Sequence, residues 1–381
     1  MTGVWTFPWT LFENGIDQEC RTLVENGVDT LTVASHHHSA RVFQPRLEKD
    51  RFTQQPGGCY FDPENQFEEL AIDPLPNPVA DVADPLAETV AAGHEAGVRV
   101  NGWVVCNHSS RRGNRHPRFQ TQDAFGNSHE HAFCLSHPDV REYFAAVAGA
   151  VADRGVDAVE LESPGYSTAV FHGHGRRFGH DARQVLTTET ETTLFSQCFC
   201  DACQAAARDH PVDLDAAADV IREVIAQSFE TPHSNPQSLG DLVRERPELQ
   251  ALFDFRAAVV ADLFDRITAA TGDTDLVAYI RTDHPDWPAG ITLETLEQSV
   301  DRLRVLCYVS EPSTARQQLR TLQRSTHLPL DAGVSLDPSV LNSEQAFVDI
   351  VEEIRATIDG SVSVFCHSLF TEEQLAWVSR I

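Results

Sequence analysis

Short runs in which apolar and polar residues alternate recur along the chain, separated by longer stretches with apolar residues at helical spacing. The first period suits strands and the second amphipathic helices, and their regular alternation predicts parallel strands joined by crossover helices. Eight strand-like runs can be read: Val4–Phe7, Thr30–Ala34, Val98–Val105, Asp157–Leu161, Leu276–Arg281, Val305–Val309, Leu328–Val334 and Val362–Cys366. Helices are expected between them. Gly27 and Gly97 are placed to stop two of these, and Pro138 to open a third in its first turn. The pattern predicts an α/β fold, a (β/α)8 barrel running through residues 1–381 as one domain, with insertions at about 39–84 and 163–248.

Within each run one parity is mostly apolar and should face the outer helices, leaving the other to point inward. By that rule Thr32, Ala34 and His36 face in, as do Glu160 and Glu162, Tyr279, Arg281 and Asp283, and Asp331, Gly333 and Ser335. Phe365 and His367 fall near the inner rim. The inward set is polar toward the C-terminal strand ends, the face on which barrels of this kind carry their chemistry. Buried polar groups cost about 1–3 kcal/mol each unless paired, so several together point to a site. A rim of salt bridges, such as Arg281 with Glu160 or Asp283, is the plainer alternative.

Composition adjusts this picture in three ways. The formal net charge of −28 is spread along the whole chain, and Lys49 is the only lysine among 29 basic residues. An acidic, lysine-poor surface suits a protein kept soluble in concentrated salt. No basic face is evident, which argues against nucleic-acid binding. No run is apolar enough to span a bilayer and the N-terminus lacks the features of a signal peptide, so a cytoplasmic protein is expected. A homo-oligomer is allowed by the sequence but not specified by it.

Nine cysteines are present, an odd number that fits a reducing compartment better than a disulfide framework. Cys198, Cys200 and Cys203 have the spacing of metal ligands. Zinc needs a fourth ligand to complete a tetrahedron; Cys134 is the first candidate and Cys106 the second. A closed set of four thiolates would be structural, with no position open to substrate.

The run Phe133-Cys134-Leu135-Ser136-His137-Pro138-Asp139-Val140-Arg141-Glu142-Tyr143, a strand ending on Glu162, and then Cys198-Phe199-Cys200-Asp201-Ala202-Cys203 resemble the middle of barrel glycoside hydrolases. The likeness is to the β-galactosidases of glycoside hydrolase family 42 and to related glycosyl-hydrolase-like barrels, and it covers roughly residues 130–205. It implies a structural zinc on the four cysteines, an acid/base role for Glu162, and a small-molecule or oligosaccharide substrate. The chain departs from that family in having Leu161 before Glu162, a longer insertion after the fourth strand, and no Glu at the end of the seventh.

Glycoside hydrolysis usually needs a second carboxyl group. Asp283 after the fifth strand, Glu311 after the sixth and Asp331 on the seventh are the candidates, in that order; Glu160 is expected one layer below Glu162. His36, His37 and His38 after the second strand, and Asn107 and His108 after the third, could hydrogen-bond sugar hydroxyls. With Glu162 and His367 they could instead surround a divalent metal, a lyase, isomerase or hydrolase alternative. Trp103, Tyr166 and Trp287 could stack on a sugar face, with Arg281 and Tyr308 also facing the site. A sugar-binding barrel without catalysis is the third reading.

Overall fold

The structure, a computed structural model, describes residues 1–47, 51–63, 66–168, 188–231, 237–281 and 285–381. Eight parallel strands close into a ring: β1 (Thr2–Thr6), β2 (Thr30–His37), β3 (Arg99–Val105), β4 (Ala158–Glu162), β5 (Asp275–Ile280), β6 (Arg302–Leu306), β7 (Leu330–Ser335) and β8 (Val362–Phe365). Each strand pairs with its sequence neighbours, and β1 closes the ring by pairing with both β2 and β8. The crossover helices are α1 (Ile16–Glu25), α2 (Pro85–Ala96), α3 (Pro138–Ala152), α4 (Pro247–Thr271), α5 (Leu293–Ser299), α6 (Pro312–Ser325), α7 (Glu344–Arg355) and α8 (Glu372–Val378). The expected (β/α)8 barrel is therefore present. The main shift is in β6, which begins three residues earlier than the pattern suggested.

Local chemistry accounts for the element ends. Asp84 caps α2 by accepting from the Ala87 amide at 2.9 Å. Gly97 ends the same helix in a left-handed turn at φ 82°. Pro138 and Pro247 open α3 and α4. The outward parity of the strands (Leu31, Val33, Val159, Leu161, Leu303, Val305, Val362 and Val364) is almost fully buried against the helices. No helix among the described residues is long and apolar enough to cross a membrane.

The stretch expected as a loop over 39–84 contains an antiparallel hairpin, Ala40–Phe43 with Phe52–Gln55. It also carries Gly58–Cys59, which adds antiparallel to the end of β2. After β4 the second insertion holds helices Glu189–Phe195, Asp201–Ala206, Leu214–Glu230 and Leu239–Glu245.

The barrel interior is layered. In the middle, Glu160 accepts hydrogen bonds from Thr32 (2.9 Å), Asn101 (2.7 Å) and Tyr279 (2.7 Å), and its carboxylate lies 3.2 Å from Arg304. Arg304 also donates to Ser363 and sits 3.7 Å from Asp331, with its guanidinium 5.2 Å from the Trp5 ring centre. Above this polar layer lie Trp5, Trp103, Tyr279 and Phe365. Trp5 donates to the Tyr279 hydroxyl at 2.5 Å. A Cβ on Gly333 would come within 2.6 Å of the Trp5 ring, so that position admits only glycine.

Breaking one half of a buried ion pair leaves an uncompensated charge, at a cost of about 3–5 kcal/mol. Arg304→Met should therefore lower the urea midpoint of unfolding by that amount of stability. The double variant Arg304→Met, Glu160→Gln should recover part of the loss.

Candidate active site and cysteine cluster

At the C-terminal end of the ring the aromatic layer opens into a cavity of about 500 Å³. Its wall is mostly apolar, with Trp5, Phe7, Trp103, Tyr279, Tyr308 and Phe365 supplying the rings. Glu162, the last residue of β4, is the one carboxyl group lining it among the described residues. Trp103 Nε1 donates to Glu162 Oε2 at 2.9 Å, and the two side chains meet because Val105 and Glu162 are in register across β3 and β4. Burial raises the Glu162 pKa above its ordinary 4.5; the charge of Arg281 and the Trp103 N–H act the other way without cancelling the shift. The next residue, Ser163, has a left-handed backbone at φ 52°. Its hydroxyl accepts from Arg281 at 3.2 Å.

Of the residues expected at the site, the structure brings Glu162, Trp103, Arg281, Tyr308 and His38 to this cavity. Glu160 lies one layer below. His36 is turned the other way. The β2–β3 register slips between Ala34, paired with Trp103, and His36, paired with Val104, so a bulge at Ser35 reverses the parity. His36 consequently packs outside the ring, 3.0 Å from the Tyr143 hydroxyl and 2.8 Å from Arg112, and His37 takes the inward place.

Other expectations are corrected by position. Asp331 faces inward but at the start of β7, where it binds Arg302 (3.3 Å) and the Ser361 amide (2.7 Å) at the opposite end of the barrel. Glu311 is the exposed residue before α6 and does not line the cavity. Asn107 is a loop clamp, donating to the carbonyls of Phe133 (2.9 Å) and Gly165 (3.1 Å). His108 meets His38 with ring centres 4.9 Å apart rather than the cavity itself. His367 is buried beside Glu19 (2.7 Å) and Thr6 (3.1 Å) behind β1. Trp287 packs on Phe253 with ring centres 5.0 Å apart. Asp283 lies outside the described residues.

Phe7 in the wall was not singled out although the first strand-like run ended on it; in the structure β1 stops one residue earlier, at Thr6. Arg304 was missed because the misplaced sixth strand excluded it. Arg41 and Gln318, also in the wall, lie on the 39–84 segment and on α6, outside the strands used to search for inward positions.

A separate cluster forms beside the barrel. The sulfurs of Cys134, Cys198, Cys200 and Cys203 lie within 4.8 Å of one another, with Cys134 to Cys203 at 3.3 Å and Cys200 to Cys203 at 3.9 Å. A metal bound to four thiolates at about 2.3 Å needs sulfurs about 3.8 Å apart, so the set could hold a metal ion. Cys106, the second candidate for the fourth ligand, is buried elsewhere with its sulfur 4.0 Å from the Val104 carbonyl. The Gln122 amide donates to Cys198 Sγ at 3.2 Å.

Arg256 reaches the cluster from α4, wholly buried. It donates to Cys203 Sγ at 3.3 Å and to the Cys198 carbonyl. Its guanidinium lies 4.5 Å from the Tyr166 ring centre and 5.0 Å from that of Phe255. Among the described residues no carboxylate pairs with it. Burial, and to a lesser degree Cys200, oppose ionisation of Cys203, but Cys134, Cys198 and Arg256 outweigh them and hold that pKa at about 6. Tyr166, expected on the rim, is thus a buried part of this assembly, its hydroxyl 2.8 Å from that of Ser136. An arginine set between Phe255 and the apolar run Ala257–Val260 was the signal available in the sequence.

No protein-family model matches this chain, and no curated protein matches it. Solved structures do. The β-galactosidase of the psychrophilic Marinomonas ef1 superposes with a TM-score of 0.57 at 12% identity, over 100% of this chain and 58% of that one. The β-galactosidase of Bacillus circulans sp. alkalophilus gives 0.54 at 11%, over 100% and 55%. The α-L-fucosidase isoenzyme 2 of Paenibacillus thiaminolyticus gives 0.51 at 14%, over 96% and 45%. The chain therefore spans about half the length of these proteins. The likeness is one of fold, a (β/α)8 barrel.

Glu162 keeps its proton above the ordinary carboxyl pKa of 4.5, so the folded state binds a proton that the unfolded state has already lost. Wild-type stability from this group is then lost as pH rises from 4.5 through the folded pKa. Glu162→Gln should melt higher than wild type at pH values above that window, with the gain shrinking toward pH 4.5, as followed by calorimetry. Stripping the cysteine cluster with a strong chelator should lower the melting temperature without competing with a cavity ligand. Elemental analysis before and after reports the ion.

Proposed function

We propose that this protein acts on a carbohydrate as a glycoside-hydrolase-like enzyme, with Glu162 as the general acid in the aromatic cavity. The observation that carries the reading is a strand-end carboxyl whose pKa burial raises, lining a cavity at the C-terminal end of a barrel shaped like those of known glycosidases. A cavity of about 500 Å³ fits the usual range for small-molecule sites, and its aromatic faces suit the C–H faces of a pyranose. In this chemistry the Glu162 carboxylic acid gives its proton to the departing glycosidic oxygen as the C–O bond breaks. A second carboxylate then either attacks the sugar carbon or activates water.

Glu311 and Asp331 lie away from the cavity, which leaves Asp283 as the proposed partner, two positions after Arg281 in sequence. A separation of about 5–5.5 Å from Glu162 would give retention, and about 6.5–9.5 Å inversion. The single carboxyl group among the described lining residues favours, as a second reading, a barrel that binds sugar without cleaving it.

Zinc is the proposed occupant of the four cysteines, Cys134, Cys198, Cys200 and Cys203, in a structural role. Four thiolates complete its tetrahedron and leave no position for substrate, and the Arg256 guanidinium offsets their negative charge.

Turnover of a panel of para-nitrophenyl glycosides tests the reading. Glu162→Gln should lower kcat by about 10²- to 10⁴-fold while sugar affinity, measured by calorimetry, is retained; Asp283→Asn should also abolish turnover. A wild type that binds sugar but cleaves no member of the panel would establish the binding-only reading instead.

A further inference from the structure

Two residues lining the cavity carry a buried polar atom with no hydrogen-bond partner among the described residues, Gln318 at Oε1 and, beyond the bulge in β2, His37 at Nε2. His37 is 2% exposed and lines the cavity. Its Nδ1 lies 3.0 Å from the His38 carbonyl oxygen, and because a carbonyl only accepts, Nδ1 is the protonated nitrogen. The lone pair is therefore on Nε2, which has no hydrogen-bond partner among the described residues. Native structures rarely leave such an atom bare, and where they do a missing partner is the usual reason.

The ring is not free to turn away. It stands edge-on to Phe7 at 5.3 Å and to Trp103 at 4.6 Å, with interplanar angles of 86° and 80°. Its backbone is pinned by pairing with Gly58. Burial, then the neighbouring His38, with smaller contributions from His108 and Arg112, hold the imidazole pKa well below its usual value. The ring therefore presents an acceptor and not a charge. Trp103, which contacts His37 through its ring, donates to Glu162 through its N–H.

We propose that His37 Nε2 accepts a hydrogen bond from a hydroxyl group of the sugar bound in the cavity, which makes His37 a substrate-binding residue. The proposal rests on the carbohydrate reading of the site. A hydrocarbon ligand would leave Nε2 unsatisfied, and an anion would meet its lone pair; a hydroxyl supplies the donor that is lacking. The sugar is held between a neutral acceptor at His37 and the acid at Glu162, with Trp103 in contact with both.

Calorimetric titration with galactose, fucose and the monodeoxy series of whichever binds tests this. His37→Phe keeps the ring contacts with Phe7 and Trp103 and removes the nitrogen. It should weaken binding by about two- to twelvefold, the span of one neutral hydrogen bond, and His37→Gln, which restores an acceptor, should recover part of that. One deoxy sugar should lose as much on the wild type and lose nothing further on His37→Phe. A His37→Phe variant that binds the parent sugar as tightly as wild type overturns the inference, as does a deoxy series whose losses are all unchanged in it. Should that variant fail to fold, His37→Leu, which also lacks an acceptor, serves instead: an unchanged deoxy series there also overturns the inference. A wild type that binds no sugar overturns the carbohydrate reading itself, a result distinct from sugar binding indifferent to His37.

Discussion

A guanidinium taken wholly out of water in the middle of the ring is the constraint on which the rest of the interior depends. Arg304 can be there only if acceptors surround it, and Glu160 and Asp331 supply them from β4 and β7. Glu160 then has oxygen lone pairs left to fill, which Thr32, Asn101 and Tyr279 occupy. The Tyr279 hydroxyl, oriented by Glu160, receives the Trp5 N–H, and Trp5 lies over the space that Gly333 leaves open. The polar layer thus fixes the aromatic layer, and the aromatic layer is the floor and wall of the cavity. An ion pair of this kind adds little net stability compared with apolar packing; here it links strands to one another by directed bonds.

The same interior shows how environment separates two carboxyl groups. Glu160 and Glu162 are two residues apart on β4 and both point inward, yet Glu160 has a guanidinium and three further donors, whereas the side chain of Glu162 has the Trp103 N–H. Arg281 acts on Glu162 from a distance and is itself held by Ser163. One carboxylate is tied into the scaffold. The other, less well compensated, has its pKa raised by burial above the ordinary carboxyl value, the direction an acid catalyst needs.

Much of this was legible in the sequence. The alternation of periods was enough for the barrel, because each strand is buried on its outer face by the crossover helices. Parity alone placed Glu160, Glu162, Tyr279, Arg281 and Gly333 inside, and cysteine spacing with one upstream thiol picked out the cluster. The failures have definite causes. Parity assumes unbroken pleating, and the bulge at Ser35 exchanges His36 for His37. Facing inward does not say at which end of the barrel a residue lies, so Asp331 was credited to the wrong face. Asn107 and Tyr166 look like rim residues because they come just after strands, but long-range partners such as Phe133 and Arg256 draw them into loop clamps, and nothing local encodes those partners.

The cluster and the bulge solve one problem in two places. Loops after β2 and β4 must hold side chains against a cavity although loop backbone has few bonds of its own. In β2 the chain gains an extra residue, Ser35, whose carbonyl accepts from the Tyr60 amide at 2.8 Å, and the Gly58–Cys59 strand pairs with His36 and His37 beyond it. After β4 the chain passes from Glu162 to Tyr166 in four residues. Tyr166 is held by Ser136 and by its stacking on Arg256, which in turn donates to the Cys203 sulfur and the Cys198 carbonyl. The sulfurs of the cluster come from the chain before α3 and from the second insertion, so the cluster joins two segments that the barrel itself leaves apart. Thiols at this spacing repel one another once ionised, and a cation in their midst converts that repulsion into attraction. The stiffness of the Glu162 loop would then depend on a bound ion that never touches substrate.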